Sequence, residues 1–219
     1  MGMQLRSRFL AAITVVCLVG CVTARAQSKT APASAQAPKP AITHKEDAEI
    51  YRNATFGFHY QWRYGWVDRT KEMQSADETS KGNGKGNVLL AVFERPPEAT
   101  GDSVNSAVVI ASESAASYAG LKTEEDYVSP LTELATANGF KADGEAYPLE
   151  VGSRRLVRAD FSKQLSNHSA GDKLIMRQCT LILLAKGQIV SFTFIGGSED
   201  EIENLVEGLG FSNAKSPPH

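Results

Sequence analysis

The residues between positions 46 and 213 that could do chemistry are few and far apart. One cysteine, Cys179, and two histidines, His59 and His168, lie in this stretch, together with three arginines at Arg154, Arg155 and Arg158. A cysteine acts as a nucleophile only as a thiolate, which needs a neighbouring base or cation. Cys179 instead shares a strand face with Ile175, Leu181 and Leu183, the setting of a buried inert thiol. His59 and His168 have no paired spacing such as H-x-x-x-H, so no metal ligand set is assigned. A hydrolytic site would have to be assembled from His59, Glu94, Asp160 and His168, residues scattered over more than a hundred positions. The chain has no G-x-S-x-G elbow, no HExxH and no CxxC. The expectation is a non-enzymatic protein with no catalytic residue and no cofactor.

Two glycine-rich stretches invite a phosphate-binding reading and fail it. In Lys81–Asn87 (KGNGKGN) no Ser or Thr follows the Gly-Lys pair, and an apolar strand comes next where a P-loop needs a helix. Gly196-Gly197-Ser198 does open a helix, but Glu199, Asp200 and Glu201 fill its first turn and would repel an anion. Ser198 with Glu201 is a capping box. The arginine cluster has two readings. Arg154 and Arg158 are four apart on one strand face, with Arg155 on the other. They form a solvated or ion-paired face, with Asp160 as a partner, or a contact for an acidic partner or lipid headgroup.

The first 26 residues are an export signal and stand outside the fold. Arg6 and Arg8 form its positive start, and Phe9–Val19 is an apolar run too short to span a bilayer as a helix. Two cleavage signals follow. Leu18-Val19-Gly20-Cys21 resembles the lipobox of bacterial lipoproteins and would place a lipid on Cys21. Ala24-Arg25-Ala26 would release a protein beginning at Gln27. The expected location is the bacterial periplasm or, through the Cys21 lipid, the membrane surface, with secretion as the alternative. Residues 27–45 are Ala, Pro, Ser and Lys with almost nothing to bury, a disordered tether. Residues 214–219 are a tail. The leader holds three of the chain's 23 basic residues and none of its 25 acidic ones, so the remainder is net acidic and no nucleic-acid partner is expected. With Cys17 and Cys21 in the leader, Cys179 has no partner for an internal disulfide.

The elements that must position these residues occupy 46–213 as one domain. Phe56, Phe58, Tyr60 and Trp62 recur every second residue, which puts four aromatic rings on one face of a strand and His59 and Gln61 on the other. A second strand starts at Trp66. Lys71–Asn87 reads as a polar loop, and Val88–Phe93 and Ala107–Ser112 read as strands. Leu121–Gly139 reads as helical, with Tyr127, Leu131, Leu134 and Ala135 on one face and a break where Ser129 caps Pro130. Two strand segments joined near Gly152 fill Glu145–Phe161. Lys173–Ala185 and Gln188–Ile195 form a hairpin about Lys186-Gly187, and Ile202, Leu205, Val206 and Leu209 form the apolar stripe of a last helix with Gly208 and Gly210 as its stops. The pattern predicts an α+β fold, an antiparallel β-sheet flanked by two amphipathic helical segments.

The opening pattern Phe56-Gly57-Phe58, followed by the pair Gly65-Trp66, resembles the PsbP/Mog-like superfamily, as does the element order over Tyr51–Phe211. The usual proline before the Gly-Trp pair is replaced by Arg63-Tyr64. The resemblance implies a sheet sandwiched by helices and non-catalytic binding or accessory work in the envelope, and it supplies no catalytic residues. A protein or small-ligand partner would be captured by the sheet face or by loops at 68–87 and 94–105. A chaperone-like or structural envelope role is the alternative.

Overall fold

The computed structural model describes residues 48–79, 86–99, 101–165 and 174–211; the leader, the tether, the tail and His168 lie outside them. The chain enters on β1 (Glu49–Asn53) and turns into β2 (Phe58–Trp62). Asn53 holds that turn: its carbonyl takes the Gly57 N–H at 2.8 Å and its side chain the Phe56 N–H at 3.1 Å. Gly57 has a φ of +75°, a conformation that costs a glycine little. A short β3 (Val67–Asp68) leads into α1 (Thr70–Thr79), and β4 (Asn87–Phe93) and β5 (Ala107–Ser114) follow. After two 3₁₀ turns come α2 (Val128–Ala137), β6 (Lys141–Ala142), β7 (Tyr147–Val151), β8 (Arg154–Leu165), β9 (Leu174–Ala185), β10 (Gln188–Gly196), α3 (Glu199–Val206) and β11 (Leu209–Phe211).

Two antiparallel sheets result. The larger runs β3-β4-β5-β10-β9-β8-β6, with β7 also paired to β8. The smaller runs β1-β2-β11 and pairs Phe58 with Phe211 and Tyr60 with Leu209. The aromatic alternation of β2 decides how they meet. Phe58 and Tyr60 are almost wholly buried, and Phe56 and Trp62 nearly so. Phe58 stands edge-on to Phe192 with ring centres 5.0 Å apart, and Tyr60 lies 6.0 Å from Phe194. Val190, Phe192 and Phe194 thus face the β2 aromatics, with Leu181 and Leu183 of β9 and Leu156 of β8 beside them. Burying each such ring is worth roughly 1.5–3 kcal/mol, so this seam is the main core. α3 adds Ile202 and Val206 to the same layer.

The other face of the large sheet is covered by α2 and the 3₁₀ turn Glu125–Tyr127, through Tyr127, Leu131 and Ala135 against Val157, Phe161 and Ile189. Near its far end Met73 of α1 joins Val88, Ala91, Phe93 and Val109. The α+β class and antiparallel sheet read from the sequence stand.

Four local expectations need correction. Residues 70–79 form a helix, not part of a loop. The helical segment breaks at Tyr127, not at Ser129, and Pro130 sits in the first turn of α2, where its missing N–H has no intrahelical partner to lose. Leu209–Phe211 is a strand beyond the end of α3. Both faces of the large sheet are packed, so the sheet face is not an open capture surface.

Candidate functional site

The strongest convergence of chemical side chains lies where β8, β9, β7 and α3 meet. Leu156, Arg158 and Asp160 alternate on one face of β8, and Asp160 is paired with Cys179 of the neighbouring strand. Arg158 is 8 % exposed. Its Nε donates to both Asp160 oxygens at 2.9 and 3.0 Å, and its guanidinium reaches Glu203 of α3 at 2.7 Å. Tyr147, opposite Arg158 on β7, lays its ring under the guanidinium at 5.8 Å. Burial pulls the Arg158 pKa down, but the bonds to Glu203 and Asp160 outweigh it and the guanidinium stays charged.

Cys179 is fully buried beside this pair. Burial pushes its thiol well above the ordinary value and the Asp160 charge pushes it further, while Arg158 only partly opposes them. The chemistry of the cluster is therefore an ion-paired guanidinium over a neutral thiol. The sequence pointed to Arg158 and Asp160 as partners; Glu203 and Tyr147 come from distant elements and had no local signal.

Arg154 and Arg155 part company with Arg158. Arg154 is exposed at the start of β8, and Arg155 pairs with Glu125 at 3.0 Å on the opposite face. Of the two proposed partner contacts, Arg154 faces solvent and Arg158 is engaged inside the domain.

Among the described members of the scattered hydrolytic set, His59, Glu94 and Asp160 lie on different parts of the fold. His59 lies on the outward face of the small sheet, its ring close against Gly210; a Cβ there would fall 2.5 Å from His59 Cε1. Its Nδ1 is buried and has no hydrogen-bond partner among the described residues. Asp160 projects from the inner face of the large sheet, so the aromatic layer stands between them. Glu94 is exposed just past the end of β4. His168 and Lys81–Lys85 lie outside the described residues.

At Gly196–Ser198 the capping reading holds. Ser198 accepts from the Glu201 N–H at 3.2 Å, and Glu201 reaches back to the Gly197 N–H at 2.7 Å. Glu201 also accepts from the hydroxyl of buried Ser106, which ties α3 to the start of β5. A depression of about 450 Å³ beside this helix is lined by Leu174, Ile175, Arg177 and Glu199. Arg177 there is paired with Glu199 at 3.2 Å and with Asp143 at 3.7 Å.

A further cluster was not foreseen. Glu113 of β5 accepts from both Tyr118, at 2.6 Å, and Tyr127, and the two rings meet edge to face at 5.2 Å. The Glu124 carboxylate takes the Leu184 N–H at 3.1 Å. These bonds strap residues 113–127 over the end of the β9–β10 hairpin. No periodicity marks them, because the strap is irregular backbone.

No family model matches the chain, and no curated protein matches it in sequence. Among solved structures, cyanobacterial PsbP (CyanoP) from Synechocystis sp. PCC 6803 is similar, at 12% identity and a TM-score of 0.48, over 80% of this chain and 98% of its own. The Ran-binding protein Mog1p of Saccharomyces cerevisiae matches at 8% identity and a TM-score of 0.38, over 76% of this chain and 96% of its own. LpqN of Mycobacterium tuberculosis, a protein involved in cell envelope biogenesis, matches at 10% identity and a TM-score of 0.33, over 78% and 87%. In fold this chain is similar to PsbP and Mog1p. At these identities the likeness concerns the fold, and no functional residue is carried over.

Proposed function

We propose that the protein is an exported, non-enzymatic accessory or binding domain of a bacterial cell envelope, held at the membrane by a lipid on Cys21. The observation that carries this reading is the leader itself: Arg6 and Arg8, the apolar run Phe9–Val19, and the complete match of Leu18-Val19-Gly20-Cys21 to a lipobox. The described residues support the non-enzymatic part. Their densest chemical cluster, around Arg158, is ion-paired among its own members, and burial favours the protonated form of its thiol. A single acyl chain gives only marginal binding, so stable anchoring requires the multiple acylation that a lipobox cysteine receives.

Labelled fatty acid fed to cells making the full chain and its Cys21→Ala variant tests the anchor. Label and membrane association in the parent, both lost in the variant, are the expected result. Absence of label from the parent, with a mature N-terminus at Gln27, replaces the anchor by a released periplasmic or secreted protein. Cross-linking in intact envelopes tests the binding role. A repeatable partner supports it, and a chain that recovers none in any growth condition argues for a purely structural component.

A further inference from the structure

β4 has the composition of an interior strand but lies almost at the edge of its sheet. Val88–Phe93 reads VLLAVF, with no charge, proline or glycine. Leu90 and Val92 are buried toward the aromatic seam, and Val88, Ala91 and Phe93 toward the opposite face. Such a run belongs in the middle of a sheet. With an open edge it is the kind of segment that pairs with other chains. Its outer neighbour β3 pairs only with Val92 and Phe93.

The rest of that edge is covered by α1 and the residue before it. The Arg69 N–H donates to the Ala91 carbonyl at 2.8 Å. The Ala91 N–H donates to Thr70 Oγ1 at 2.9 Å, and Gln74 Nε2 donates to the Val88 carbonyl at 2.6 Å. Two side chains of a helix thus stand where the backbone of a neighbouring strand would be. The start of the helix is also capped, with the Thr70 N–H donating to Asp68 Oδ1 at 2.8 Å, but its apolar anchorage is slight. Met73 is the only large apolar residue among its ten, and a helix of this length is marginal without a packed face.

We propose that α1 is a releasable cover over the edge of β4, and that its release lets β4 pair antiparallel with β4 of a second copy of this chain. The geometry of the edge suits a second copy. Both the N–H and the C=O of Ala91 point outward. A two-fold axis beside that residue therefore matches donor to acceptor and lays one apolar run against its own copy.

The test removes both side-chain bonds in the full chain with Thr70→Val and Gln74→Ala, leaving Met73 in place. Hydrogen exchange at the Ala91 amide should quicken about tenfold, as losing two modest bonds implies. Sedimentation velocity should then show concentration-dependent dimers and larger species that the parent does not form. Adding Asn87→Lys places a charge at the exposed start of β4 and should restore the monomer. A double variant that exposes the Ala91 amide yet stays monomeric overturns the proposal, as does association that Asn87→Lys leaves unchanged. If the double variant does not fold, the unmodified chain decides the matter. Its Ala91 and α1 amides must exchange together, through an opening smaller than the one that releases Val109 in β5. Exchange of Ala91 only with global unfolding overturns the cover.

Discussion

Three phenols sit in surroundings that penalise their ionised form. Burial raises the pKa of Tyr60, whose hydroxyl donates to the Leu205 carbonyl at 3.0 Å. Burial also raises Tyr118 and Tyr127, and the carboxylate of Glu113 between them adds to the shift. A group whose pKa is higher folded than unfolded binds more protons in the folded state once the pH passes its unfolded value. The stability these tyrosines contribute is therefore fully present below the ordinary phenol value of 10.0 and is lost as the pH rises above it. In an absorbance titration at the phenolate band, Tyr60, Tyr118 and Tyr127 should ionise only together with the loss of near-UV circular dichroism. Ionisation of all six tyrosines while the fold remains intact would contradict this account.

Between elements, the guanidinium of Arg158 joins β8 to α3. Its side chain is 10% exposed, that of Asp160 24% and that of Glu203 56%, so water reaches the acids more than the cation. Removing one acid leaves a largely buried charge half-compensated. Asp160→Ala should destabilise the domain by about 3 kcal/mol. Replacing the pair together, with Arg158→Met and Asp160→Leu, should cost less than Asp160→Ala alone, because no charge is then stranded. Urea unfolding midpoints decide between these outcomes, and equal losses would mean that shape rather than charge matters at this position. The Arg158–Asp160 bond was legible in the sequence because both residues are on one strand two positions apart. Glu203 was not, because its approach depends on how α3 docks. The same contrast holds for whole elements. The alternation at Phe58, Tyr60 and Trp62 and at Val190, Phe192 and Phe194 announced both strands and their buried faces. α1 gave no such signal: its single Met73 makes no stripe, and it is held by Thr70 and Gln74 through hydrogen bonds that no periodicity records. β11 was hidden by Gly208 and Gly210, which read as helix stops but also permit close approach. A Cβ at Gly208 would meet the Gln61 carbonyl at 2.5 Å.

At the scale of the molecule, the aromatic seam depends on both ends of the domain. β2 supplies Phe58 and Tyr60, β10 supplies Phe192 and Phe194, and Phe211 of β11 lies 6.4 Å from Phe58 and 6.1 Å from Phe192. A chain ending after Val206 should lose the pairing of Phe58 with Phe211 and of Tyr60 with Leu209. Its thermal transition should broaden and weaken, with the buried thiol of Cys179 becoming reactive to a thiol reagent at temperatures where the parent's is silent. A truncated chain that melts as sharply as the parent would show that β11 is an ornament on a core complete without it.

The pairing of β2 with β11 also sets an order of events in synthesis. The first long aromatic strand to leave the ribosome finds its edge partner only when nearly the whole domain has been made. Closing so long a loop is slow, and until it closes β2 has only β1 beside it and its rings lack the final member of their cluster. A protein arranged in this way stays unfinished until its last strand emerges. On the export reading proposed above, that delay would serve translocation, since a channel that passes unfolded polypeptide meets the chain before the core can lock.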